Sequence, residues 1–181
     1  LKQASFTGKS YKYYNFAKGI VQPEPSRENW DLLFTRYMAL TTPPGGGPMV
    51  MYPTMGVESK RGERISKITN YTWDVIAANP AQSIAGIKMT GTPGELSKDL
   101  TKIGGDWKAY DGAAMTWNIS TDWNYIVETI RIQGTTKDTA FWMLAFTGFS
   151  GSAKGETQLK RMELKTSTAA VSQAKQFSAK L

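Results

Sequence analysis

The stretch "TAFWMLAFTGF", residues 139–149, decides the fold. Phe141, Met143 and Ala145 fall on one parity and Trp142, Leu144 and Phe146 on the other, so it is apolar on both. Successive side chains of a strand point to opposite faces, so such a run is a strand buried on both sides. Before it, "NYIVETIRI" (residues 124–132) is a β-branched and aromatic run, which also predicts a strand. After it, "TQLKRMELK" (residues 157–165) reads as a last strand.

The same alternation, broken by turns, extends towards the N-terminus. In "NWDLLFTRYMAL", Trp30, Leu32, Phe34, Met38 and Leu40 share one parity, and Asp31, Thr35, Tyr37 and Ala39 the other. That predicts a half-buried strand with Arg36 as its discordant member. "YKYYNFAKGIVQ" predicts two short strands around a turn at Lys18-Gly19. "PPGGGP" (residues 43–48) is a loop, and "MVMYPTMGV" after it is a short strand that Pro53 confines to a sheet edge. "YTWDVIA", ended by Asn79-Pro80, and "SIAGIKM", closed by "TGTPGE", read as two more strands. Leu96, Leu100 and Ile103 in "ELSKDLTKI" have helical spacing and predict one or two helical turns. The tail, residues 165–181, fits a strand extension or a short helix equally well. Strands about every ten residues predict an all-β fold: one domain over residues 1–181, an antiparallel sandwich or partly open barrel.

Composition narrows the chemistry. The chain has 181 residues, 40% hydrophobic and 20% charged, which suits a folded globular protein. Its net charge of +7 is scattered, so no nucleic-acid partner is expected. Lys60, Arg61 and Arg64 form the one tight basic knot, a solvated turn or a landing site for an anionic ligand or surface. There is no histidine and no cysteine. That excludes histidine-dependent nucleophilic catalysis, disulfides, and zinc or non-haem iron sites built on imidazole or thiolate. "GTPGELSK" has glycines, but no lysine and hydroxyl at the positions a phosphate loop needs after them. Asp106, Asp111 and Asp122 lie near turns, where aspartate is usually a turn former. We therefore expect no enzyme. No apolar run approaches the ~20 residues of a membrane span. The chain begins at Leu1 without an initiator methionine and is read as trimmed, with any export signal or lipid-attachment cysteine upstream.

Aromatic and sulfur side chains carry what functional signal there is. Trp30, Trp73 and Trp142 are expected in the core, whereas Trp117 and Trp123 flank Met115 and are candidates for a ligand platform. Of eight methionines, Met38, Met143 and Met162 sit within strands beside apolar residues and read as core fillers. Met49, Met51, Met55, Met89 and Met115 border glycine- or proline-bearing loops. Their thioethers are the only soft side-chain donors in the protein.

"ENWDLLFTRY" before a glycine-rich loop, then "IGGDWKAYD", "NYIVE" and "FWMLAFTGFSGSAKGETQLKRMEL", occur in an order that resembles the HmuY family. Its members are haem-binding, haemophore-like surface lipoproteins of Bacteroidetes. The resemblance runs from about Tyr11 to Leu164. It implies an all-β fold that captures haem outside the cell for iron acquisition. It also implies an outer-membrane lipoprotein location, a TonB-dependent outer-membrane receptor as partner, and host haemoproteins as a haem source. Haem would be clasped between two loops at one end of the β-structure, each giving one axial ligand. The founding member uses two histidines; this chain has none, and methionines would take their place. The two loops fall around residues 86–94 and 110–117, which makes Met89 and Met115 the expected ligands, with Met51 and Met55 in reserve. Trp117 would lie beside the haem, and Lys88 and Lys108 would pair with its propionates or simply face water. Two other readings stay open: a protein of the same fold that binds a siderophore or other small ligand, and an adhesion or scaffold module that binds none.

Overall fold

The computed structural model describes residues 13–21, 25, 29–43, 46–89, 95–151, 156–165 and 175–179. It is an all-β, antiparallel structure with two short helices. Strands β1 (Tyr13–Asn15) and β2 (Gly19–Val21) form a small hairpin around the turn expected at Lys18-Gly19. Strands β3 (Leu32–Thr41) and β4 (Val50–Ser59) form a long hairpin, followed by β5 (Arg64–Ile68). Helices α1 (Trp73–Ala78) and α2 (Pro80–Met89) come next, then the short hairpin β6 (Lys108–Asp111) and β7 (Thr116–Ile119). The chain continues with β8 (Asn124–Gln133), β9 (Thr136–Phe149), β10 (Thr157–Leu164) and β11 (Lys175–Ala179). Pro53 interrupts no pairing, because β4 pairs there with β3 alone and so presents an edge, as the sequence implies; its bonds to Gly104 and Leu100 lie nearer the root, at Val57 and Ser59.

The frame is an open five-stranded sheet in the order β11-β10-β9-β8-β5. Strand β9 lies at its centre and is apolar on both faces. On one face Leu144 and Phe146 join Ile65, Tyr125, Val127 and Leu159. Val57 of β4, Ile103 and Trp107 cover this face. Trp107 stacks on Phe146 with ring centroids 3.9 Å apart and planes 11° from parallel. Such a pair adds about 0.5–1.5 kcal/mol beyond the area it buries. On the other face Phe141 and Met143 pack with Ile126, Met162 and Leu164, and Ile76 of α1 and Ile84 of α2 close over them.

Several local expectations are corrected. "YTWDVIA" and "SIAGIKM" form α1 and α2, not strands. Residues 95–103 form no helix: Ser97 bridges to Ile65 of β5, and the Asp99 carboxylate accepts from the Thr101 amide at 2.9 Å, turning the chain. Met143 and Met162 are buried, but Met38 is exposed. Its face of β3 is covered only as far as Phe34, and beyond Thr35 the half-buried residues fall on the opposite parity. Trp73 and Trp142 only flank the core and Trp30 is half-buried, whereas Trp107 fills it. β10 is not the last strand, since β11 pairs with it.

The basic knot is a solvated turn only at Arg61 and Gly62, which are exposed; Lys60 and Arg64 are tied into the fold. Lys60 is buried and donates to the Trp30 carbonyl at 2.9 Å, with Asp31 at 3.4 Å and Glu63 at 3.3 Å. Burial pushes the Glu63 carboxyl up to about 8, against the pull of Lys60. Arg64 grips Glu128 of β8 through two guanidinium nitrogens. These contacts fasten the root of the β3–β4 hairpin to the sheet.

That root also depends on a close backbone approach. A Cβ at Gly56 would lie 2.7 Å from the Gly104 carbonyl oxygen and 2.9 Å from Tyr37 Cε1, where β4 bridges to Gly104 through Val57. Neither a backbone carbonyl nor a strand can withdraw cheaply. Gly56→Ala is expected to lower unfolding stability by about 1–3 kcal/mol, read as a lower denaturant midpoint. An unchanged midpoint would contradict this packing.

Candidate functional site

The β6–β7 hairpin is built around a carboxylate. Asp111 Oδ1 accepts from the Ala113 and Ala114 amides, both at 3.0 Å, and so folds the four-residue loop back on itself. Asp111 is thus the turn former expected of it. The loop ends at Met115, the one non-glycine with positive φ among the described residues, at 53°. A side chain there costs about 1–3 kcal/mol, and glycine or asparagine is the usual occupant. Met115 is also 79% exposed, so packing does not repay the strain. A thioether is held out in solvent on a strained backbone.

Behind Met115 the hairpin presents an aromatic face. Tyr110 and Trp117 are direct cross-strand partners, with centroids 5.3 Å apart. Trp117 meets Phe149 of β9 edge to face at 5.1 Å, and Phe149 meets Trp107 at 5.8 Å. Ring contacts therefore run without a break from the exposed Tyr110 to the core pair Trp107–Phe146.

Lys108, at the start of β6, is not a surface cation. It is buried, and its Nζ donates to the carbonyls of Met55 and Gly105, with the rings of Trp107 and Phe149 at 4.4 and 5.1 Å. Those contacts occupy it, so it is not available to a propionate, nor does it face water. It joins β4 to β6 and so roots the two hairpins together. Burial lowers its ammonium to about 8, with Asp106 opposing.

The other expected residues are dispersed. Met89 and Lys88 are the last two residues of α2, not part of a loop, and their side chains lie outside those described, as do residues 90–94. Met51 is exposed on β4, whereas Met55 is buried beneath it at 8% exposure. Trp123 is half-buried, with Lys67 Nζ 3.3 Å from its ring centroid. Sequence reasoning missed the outer part of the β3–β4 hairpin: Met38, Leu40, Met49, Val50, Met51 and Tyr52 are all exposed. One signal for it was readable. From Tyr37 to Val57 the chain carries no charged residue, although a fifth of the whole is charged.

Comparison with family models, with curated proteins and with solved structures gives no match to this chain.

Two outcomes follow from this geometry. Between pH 8 and the 10.5 of a free lysine, the unfolded chain holds a proton that folded Lys108 has lost. Stability from this group therefore rises with pH in that window, by at most about 1.4 kcal/mol per unit. In urea titrations wild type should gain on Lys108→Met across the window, while parallel curves would contradict the lowered value. Met115→Gly relieves the strained φ and should raise stability by about 1 kcal/mol, after the added freedom of the unfolded chain is subtracted. A lower denaturant midpoint would mean that the Met115 side chain contributes to the fold.

Proposed function

We propose that this chain is a non-enzymatic haem-binding protein of the cell surface that takes up haem and passes it to a TonB-dependent outer-membrane receptor. The reading rests on its resemblance to the HmuY family and on one observation: Met115 is exposed and conformationally strained at the tip of an aromatic hairpin. A site that keeps strain without packing in return is a candidate for function. Met115 fits the requirements for an axial donor, being soft, uncharged and accessible. Met89, at the end of α2, is proposed as the second donor, with Lys88 beside it for a propionate. Tyr110 and Trp117 offer the flat apolar contact that a porphyrin face needs. Bound haem would contribute an iron centre whose axial positions accept thioethers. Such ligation favours the ferrous state and raises the potential relative to imidazole.

Visible spectra of the purified protein with ferric haem, before and after dithionite, test the reading. Sharp low-spin ferrous bands are expected, and they should weaken in both Met115→Ala and Met89→Ala. Because a thioether takes up no proton in this range, the ferrous bands should be as strong at about pH 5.5 as at about pH 7.5. No spectral change in either redox state would overturn the proposal, as would loss of binding around pH 6. Quenching of tryptophan fluorescence by a ferric siderophore, with no response to haem, would assign the aromatic face to the alternative ligand.

A further inference from the structure

The β3–β4 hairpin carries a second set of thioethers, distant in sequence from Met115. In its register Met38 lies opposite Pro53, Leu40 opposite Met51, and Arg36 opposite Met55. Directly opposed residues of an antiparallel pair share a face, so Met38 and Met51 are diagonal neighbours on one face, roughly 7–8 Å apart and within reach of long side chains. Met49, two residues before Met51, continues that parity at the entrance to β4, about 7 Å along the chain. The three methionines are 54%, 60% and 58% exposed (Met38, Met49 and Met51), so the outer part of this face is open to solvent.

The surroundings restrict what such a group would hold. Between and beside the sulfurs stand Pro53 and Leu40, which have no polar side-chain atom to offer. Arg36 lies on the same face, one further step towards the root. No carboxylate occurs from Tyr37 to Val57, and the chain has no imidazole or thiol. Among the described residues no group of three acidic, histidine or cysteine side chains forms a site for a harder ion. Thioethers alone bind poorly to zinc, calcium or magnesium, whereas they suit a soft monovalent cation that accepts two or three sulfurs.

We propose that Met38, Met49 and Met51 form a surface site for Cu(I), with Ag(I) as its redox-inert mimic. The ion enters as Cu(I) and leaves as Cu(I), and binding displaces no proton. The site is independent of haem binding and is tested on haem-free protein. Methionine methyl-labelled protein titrated with Ag(I) should show the methyl signals of Met38, Met49 and Met51 moving together, each identified by its own Met→Leu variant. In competition with a Cu(I) chelator, wild type should retain the ion, and Met38→Leu and Met51→Leu should each weaken binding by about tenfold. Leucine is similar in volume and both positions are exposed, so folding should not obscure the result. The proposal is overturned if Ag(I) shifts none of these three methyls, if it shifts Met115 in their place, or if the double variant Met38→Leu/Met51→Leu holds Cu(I) as tightly as wild type.

Discussion

Strand β9 has apolar side chains on both faces, and each face must be covered by a different part of the chain. The rest of the structure answers to that constraint. Helices α1 and α2 supply Ile76 and Ile84 to one side. The root of the β3–β4 hairpin and the segment ending at Trp107 supply the other. Once Val57, Ile103 and Trp107 are fixed over β9, the two hairpins are fixed at their roots as well. Lys108 reaches the Met55 carbonyl, and Gly56 lets the backbone of Gly104 come into contact. The exposed methionines among the described residues occur on the outer parts of these two hairpins.

How much of this was legible depends on how local the deciding contacts are. β8, β9 and β10 were readable because their patterns are long and their burial follows directly from side-chain parity. The helices were not, because "YTWDVIA" and "SIAGIKM" are short apolar runs with β-branched residues, for which periodicity does not separate helix from strand. The signals that were present are Asp74 in the first turn of α1 and Pro80 at the start of α2, where proline's missing amide costs nothing. Leu96, Leu100 and Ile103 have helical spacing, yet tertiary pairing of Ser97 with Ile65 overrides it. No sequence argument singled out Trp107, since its burial depends on the close contacts of Gly56, Gly104 and Gly105, which are not local.

The candidate site was legible in part. The sequence placed Met115 and Trp117 together at a turn, and the hairpin does so, with Tyr110 as the partner that went unnoticed. It offered Lys108 to a propionate or to water, and burial removes it from both. The largest obstacle was where cover on one face of β3 ends: Met38 shares the parity of Phe34 yet lies beyond the cover, in solvent beside Met51. A chain without histidine or cysteine leaves four thioethers largely in solvent, at Met38, Met49, Met51 and Met115, and forgoes part of the ~1.5–3 kcal/mol that full burial of each would give.

The central claim is that Met115 gives its sulfur to haem iron. Proton spectra of the dithionite-reduced haem complex, with methionine methyl groups labelled, address it most directly. An iron-bound methionine places its methyl over the porphyrin, where the ring current moves the signal far upfield. The account predicts such a signal that disappears in Met115→Ala. A reduced complex in which every methionine methyl keeps its haem-free position would contradict it.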